Sequence, residues 1–199
     1  HLAQSHLDTA AWMEAHTHIL KRNVYTLAGQ LNLDDALGFL KLYRFKSLRH
    51  RILFRLRMGR PMRNYKLAQA LIDKGVPVPM PLAALLVDEG MCVLSEGLAS
   101  GGTLADLWQL GWSESAMTLA MRATGESLGS LHAAEYTYGD CRWSNFFWDG
   151  QRSCLVDLDN TRKSRIGSID QARDLARFTA QAESLCVDAA LFDQFLDAY

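Results

Sequence analysis

The residues of this chain best suited to chemistry lie close together. Asp140 is followed five residues later by Asn145, within Tyr138-Gly139-Asp140-Cys141-Arg142-Trp143-Ser144-Asn145. Asp157 comes twelve residues after Asn145 and closes the apolar run Cys154-Leu155-Val156. A carboxylate, an amide and a second carboxylate in this order suit phosphoryl transfer. One carboxylate meets an acceptor hydroxyl, while the amide oxygen and the other carboxylate hold Mg²⁺ against nucleotide phosphates. Singly, each residue is commonplace, since an Asp after a Gly often caps a turn. The spacing carries the signal.

Positioning such a set takes strands and helices in a definite order. Residues 18–33 alternate loosely and end at Asp34-Asp35, a turn signal that predicts a hairpin. The next strand runs over 39–45, and period two places Phe39, Lys41, Tyr43 and Phe45 on one face. Residues 47–58 read as a helix, stopped by Gly59-Arg60-Pro61, and a second helix runs from there through Lys74. Val76-Pro77-Val78-Pro79-Met80-Pro81 reads as an extended connector, and a strand follows over 91–95. The flexible passage Glu96-Gly97-Leu98-Ala99-Ser100-Gly101-Gly102 marks the expected boundary between lobes, 1–96 and 97–199, of one domain. Beyond it helices are expected over 103–109, 114–134, 168–182 and 187–198, with short strands around 146–149 and 153–157. Strands first and helices second make an α+β arrangement.

Composition narrows the class. The chain has 199 residues and 49% hydrophobic content, enough to bury a core. No apolar run approaches the ~20 residues of a membrane span, and no signal peptide opens the sequence. Cys92, Cys141, Cys154 and Cys186 lack paired metal-ligand spacing and read as reduced thiols of a cytosolic protein. The net charge of −1 conceals an asymmetry: ten Lys or Arg residues fall between Lys41 and Lys66, with no Asp or Glu between Ala36 and Ile72. This block favours an anionic partner, whether phosphorylated glycolipid, membrane surface or nucleic acid, or else forms a solvated helix face.

Together, Lys41, Asp140, Asn145 and Asp157 resemble the protein-kinase-like fold, two-lobed with a small antiparallel sheet and a mainly helical second lobe. Within it the chain is most similar to the bacterial lipopolysaccharide core kinases, which phosphorylate heptose or Kdo. Phe39-Leu40-Lys41-Leu42-Tyr43, Arg63-Asn64-Tyr65, Leu131-His132-Ala133-Ala134 and Arg173-Asp174-Leu175-Ala176-Arg177 carry that likeness. The resemblance implies ATP and Mg²⁺ as cofactors. It makes Lys41 the lysine on the nucleotide phosphates, Asp140 the catalytic carboxylate, and Asn145 and Asp157 the metal ligands. It places Glu96 and Leu98 at a hinge facing adenine, Phe39 against the base, and Asp174 as a brace for the catalytic loop. Asp159 is left with several roles: a second metal, substrate positioning, or none. The implied partner is an anionic glycolipid or phosphorylated sugar, met in the cytoplasm at the inner face of the inner membrane through the basic segment 41–66. Nucleic acid ranks last.

The sequence also departs from the resemblance. No glycine-rich loop is present, and Lys21-Arg22-Asn23 occupies the first hairpin. Asn64 stands where a Glu would pair with Lys41, Tyr138 where His is usual, and Asp159 where protein kinases have Gly. Two alternatives follow: a kinase with another small-molecule or protein acceptor, or a nucleotide-binding pseudokinase with a regulatory role.

Overall fold

The computed structural model describes residues 8–34 and 36–199; Asp35 of the expected turn lies outside them. The chain divides into two compact units. One holds the described residues up to Gln69 together with Met80–Leu98, and the other holds Ala70–Pro79 and Ala99–Tyr199.

The first unit is an antiparallel sheet with helices on its faces. Helix α1 (Thr9–His16) is capped by the Asp8 carboxylate, which accepts the Ala11 N–H at 3.0 Å. Strands β1 (His18–Arg22), β2 (Thr26–Leu33) and β3 (Ala36–Arg44) follow. Helices α2 (Leu48–Arg55) and α3 (Arg60–Ile72) lead to β4 (Pro81–Val87) and β5 (Gly90–Glu96). The sheet order is β1-β2-β3-β5-β4, which puts β3 at the centre. Period two splits its side chains. Leu40 and Leu42 pack with Leu27, Cys92 and Met13, while Tyr43 packs with Phe54, Met62 and Met91. Strand β4 is the element that the sequence conceals. Prolines at 77, 79 and 81 suggest a connector, yet β4 is an edge strand, where Pro81 at the first position breaks no ladder.

The second unit is mainly helical. Strand β6 (Gly102–Thr103) and α4 (Leu104–Gln109) precede the long α5 (Glu114–Ala133). Then come β7 (Tyr136–Thr137), β8 (Phe146–Trp148), β9 (Ser153–Leu155) and β10 (Arg162–Lys163), followed by α6 (Ile169–Ser184) and α7 (Ala189–Ala198). Helices α5 and α7 cross closely, because a Cβ on Gly125 would meet the Phe195 carbonyl at 2.3 Å. Buried Trp143, Phe146, Phe178 and Phe195 form an aromatic core, with Phe178 stacked on Phe195 at 4.1 Å between centroids. The four cysteines are free thiols. Among the described residues no helix is long and apolar enough to cross a membrane.

Candidate active site

The loop after β7 is built on a buried carboxylate. Asp174 of α6 has no exposed surface. It accepts the Tyr138 N–H at 2.6 Å, the Gly139 N–H at 2.8 Å and the Thr137 hydroxyl at 2.5 Å. His132 of α5 lies 3.3 Å away through Nε2, and its Nδ1 meets the Tyr199 hydroxyl at 2.7 Å. Burial pushes the Asp174 carboxyl upward, but hydrogen bonds from His132, Thr137 and the two amides outweigh it and hold the carboxyl below its ordinary range. Gly139 is required for the turn. It adopts φ +77°, and a Cβ there would lie 2.6 Å from the Asn160 carbonyl. Arg177 adds a hydrogen bond to the Gly139 carbonyl.

Tyr138 fastens the far end of the loop. Its fully buried ring packs against Phe146, and its hydroxyl faces two carbonyls, Asn145 O at 2.9 Å and Val156 O. One proton serves both. The Val156 N–H in turn donates to Asn145 O at 2.9 Å. The segment carrying Asn145 and the segment carrying Asp157 are thus joined at adjacent residues. Desolvation, reinforced by the Cys141 thiol and nearby carboxylates, raises the phenol's pKa, so it stays a neutral donor.

Within this frame Asp140 and Asn145 meet. Asn145 Nδ2 donates to the Asp140 carbonyl at 2.9 Å and to Asp140 Oδ2 at 3.2 Å, which directs Oδ1 of the amide away as an acceptor. Arg142 grips Asp140 in a fork, with Nε to Oδ1 at 2.8 Å and a terminal nitrogen to Oδ2 at 2.7 Å. The Arg142 hydrogen bond is the main reason the Asp140 carboxyl is held below its ordinary range; partial burial opposes it, and the Arg142 charge, Asn145 and Arg177 assist it. Three donors fill three of roughly four lone-pair positions on a carboxylate, leaving one at Oδ1. An ionised group of this kind is a weak base and a strong hydrogen-bond acceptor, suited to aiming a hydroxyl.

Strand β9 ends at Leu155, two residues before Asp157. Asp157 is exposed and left-handed, at φ 62° and ψ 74°. Such backbone is costly for any residue but glycine, tolerated by Asp, and frequent at functional positions. Leu158–Asn160 is a 3₁₀ turn. Asp159 therefore lies in this turn and does not share a strand face with Asp157.

The remaining candidates lie in the first unit. Phe39 and Lys41 stand on β3 beside β5, opposite Ser95 and Val93. The Lys41 ammonium sits over the Tyr43 ring at 5.1 Å, as same-face neighbours should. Glu96 donates its N–H to the Met80 carbonyl at 2.8 Å, and its carboxylate accepts the Met80 N–H at 3.2 Å. Leu98 follows β5 and is half-buried, as is Asn64 on α3. The structure thus assembles Asp140, Asn145 and the approach to Asp157 in one unit, and Phe39, Lys41 and Glu96 on adjacent strands in the other.

Arg142 stands outside the sequence expectations, although an Asp-x-Arg pair in a tight loop is a signal for such a fork. Tyr138 departs from the family resemblance, yet its hydroxyl ties two segments together. The donor set suits a hard cation: an amide oxygen and a carboxylate fit Mg²⁺, which takes one or two protein ligands and completes its shell with water and phosphate. Among the described residues no three His, Cys, Asp or Glu side chains are grouped to hold a metal ion.

An antiparallel sheet with a central lysine, followed by a helical unit with a braced Asp-Asn loop, defines a kinase-type protein. The chain belongs to the lipopolysaccharide kinase (Kdo/WaaP) family, whose sequence profile matches residues 18–199. A 3-deoxy-D-manno-octulosonic acid kinase of Xanthomonas oryzae pv. oryzae (strain PXO99A) is 31% identical over 105 residues, covering 50% of this chain and 41% of the relative. Its counterpart in Xanthomonas euvesicatoria pv. vesicatoria (strain 85-10) is 30% identical over the same length and shares. The matched stretch thus spans about two-fifths of the relatives' length. A solved structure of WaaP in complex with acyl carrier protein shares the fold, with a TM-score of 0.66 and 16% identity over 96% of this chain and 82% of that one.

Proposed function

We propose that this protein is an ATP-dependent kinase that phosphorylates a heptose or Kdo hydroxyl of the lipopolysaccharide inner core in the cytoplasm, at the inner face of the membrane. The observation that supports this reading most is the Asp140–Asn145 pair on a loop braced by Asp174. In this reading Asp140 Oδ1 accepts the acceptor hydroxyl and aims its oxygen for in-line attack. Lys41 binds the nucleotide phosphates. Phe39 packs on the base, and the backbone of Glu96 and Leu98 meets its edge; because the Glu96 N–H is spent on Met80, Glu96 contributes its carbonyl. Asn145 and Asp157 hold Mg²⁺, which supplies electrostatic stabilisation of the transferring phosphoryl group.

The test is transfer of labelled phosphate from ATP to a Kdo- or heptose-bearing core acceptor. Asp140→Ala is expected to lower kcat by about a thousandfold while leaving nucleotide binding in place. Equal transfer by the variant and the wild type would remove Asp140 from the mechanism. A second reading, a nucleotide-binding regulator, is favoured by Asn64 standing where the family resemblance puts a Glu. It predicts a thermal shift with Mg²⁺–ATP and no transfer to any core sugar.

A further inference from the structure

The candidate site leaves one surface of the first unit unused. Helix α2 buries Phe54, which is 6% exposed, against Tyr43, Met62 and Met91. At about 100° per residue, Leu48, Ile52 and Leu56 form a single stripe lying nearly opposite Phe54 and His50. These three side chains are 72%, 52% and 62% exposed. The stripe thus points to solvent and not into the sheet's core. Arg51 and Arg55 border the stripe on one side and Arg49 borders it on the other, all exposed, within a stretch free of Asp and Glu from Ala36 to Ile72.

We propose that the outward face of α2 docks on an anionic lipid bilayer, with Leu48, Ile52 and Leu56 entering the interface and Arg49, Arg51 and Arg55 meeting lipid phosphates. The choice of lipid rests on the glycolipid-kinase reading above. An aliphatic stripe with cationic borders is the pattern of a helix lying in the plane of an interface. Long arginine side chains carry their charge to the headgroups while their stems cover apolar surface. Protein interfaces favour aromatic anchors in their centre, and this stripe has none. The helix would bring the enzyme to the surface that carries its acceptor.

The experiment is sedimentation of the intact protein with phosphatidylglycerol–phosphatidylcholine vesicles and with phosphatidylcholine alone. Binding is expected to the anionic vesicles and to fall steeply with salt. Replacing Arg49, Arg51 and Arg55 by Gln should weaken it on the order of a hundredfold. Ile52→Ser with Leu56→Ser should weaken it about tenfold, with unchanged circular dichroism and unchanged phosphate transfer to a water-soluble core sugar. Wild-type vesicle binding equal to that of these variants, or equal on neutral lipid, overturns the proposal. So does failure to bind vesicles alongside α2-dependent capture of an acidic protein such as an acyl carrier protein. Because sedimentation requires no turnover, loss of docking and loss of kinase activity are read separately.

Discussion

Between Thr137 and Asn145 polar groups are turned inward and paired, whereas between Leu48 and Leu56 apolar groups are turned outward to water. Both segments invert the usual distribution, and the inversions differ in kind. In the loop, one buried carboxylate accepts two backbone amides and a hydroxyl, and a buried phenol joins two carbonyls. What stays open there is one position on Asp140 Oδ1, the amide oxygen of Asn145 and the buried indole N–H of Trp143. On α2 the exposed aliphatic stripe gains nothing from the fold and becomes favourable only when something covers it. The first pattern belongs to a site whose geometry must not move. The second belongs to a surface whose role depends on what it meets.

The largest effect on stability is expected where the inward pattern is cut at its root. Asp174→Ala leaves two amides, the Thr137 hydroxyl and His132 without their acceptor, a loss of about 3–5 kcal/mol in unfolding free energy. The folded pKa of Asp174 lies below the ordinary carboxylate value. Its contribution is therefore complete above about pH 3.9 and disappears as pH falls through the lower folded-state value. Thermal melts of Asp174→Asn against wild type should differ most at neutral pH and converge towards acid. Curves that stay parallel down to strongly acid pH would show that the charge on Asp174 does not matter.

Much of this loop was legible beforehand because its residues are constrained by chemistry and local backbone at once. Asp140, Gly139 and Asn145 must sit at fixed spacing, and the helices flanking them show clear 3.6-residue periodicity. The hidden parts depend on tertiary neighbours. Asp157 looks like the end of a strand because Cys154-Leu155-Val156 is apolar, yet the chain leaves β9 at Leu155 and turns left-handed. Strand β4 is masked by Pro81 and the prolines before it, and the outward stripe of α2 looks like core because Leu and Ile usually are core. Helical periodicity reveals an apolar face but not which way it points. On α2 the buried face is held by Phe54, and its exposed neighbours are what no pattern could assign.

An intermediate effect is expected at Tyr138. Tyr138→Phe keeps the ring against Phe146 and removes only the hydroxyl between Asn145 O and Val156 O. The loss in stability should be about 1–2 kcal/mol. If the hydroxyl positions Asn145 relative to Asp157, kcat falls about tenfold while KM for ATP changes by roughly twofold or less. A variant that is less stable but turns over at the wild-type rate would reduce Tyr138 to a packing residue. The inward polar network would then be support for the fold alone.

The smallest effect is expected on the outer face of α2, and its smallness is informative. Ile52→Ser alters a side chain that is more than half exposed and lies in neither core cluster of the sheet, so stability should stay within about 0.5 kcal/mol of wild type. Two residues away, Phe54→Ala should cost about 3–5 kcal/mol, because Phe54 joins the helix to Tyr43, Met62 and Met91. Denaturant titration of the two variants in the absence of lipid measures both values on one helix. A cost above 1 kcal/mol at Ile52 would mean that the stripe already has a partner within the chain, and that α2 is ordinary core. A neutral Ile52→Ser beside a damaging Phe54→Ala would mean that folding does not require isoleucine at this position. Any use for the stripe would then lie outside the molecule, which is what separates this helix from the internally braced loop at Asp140.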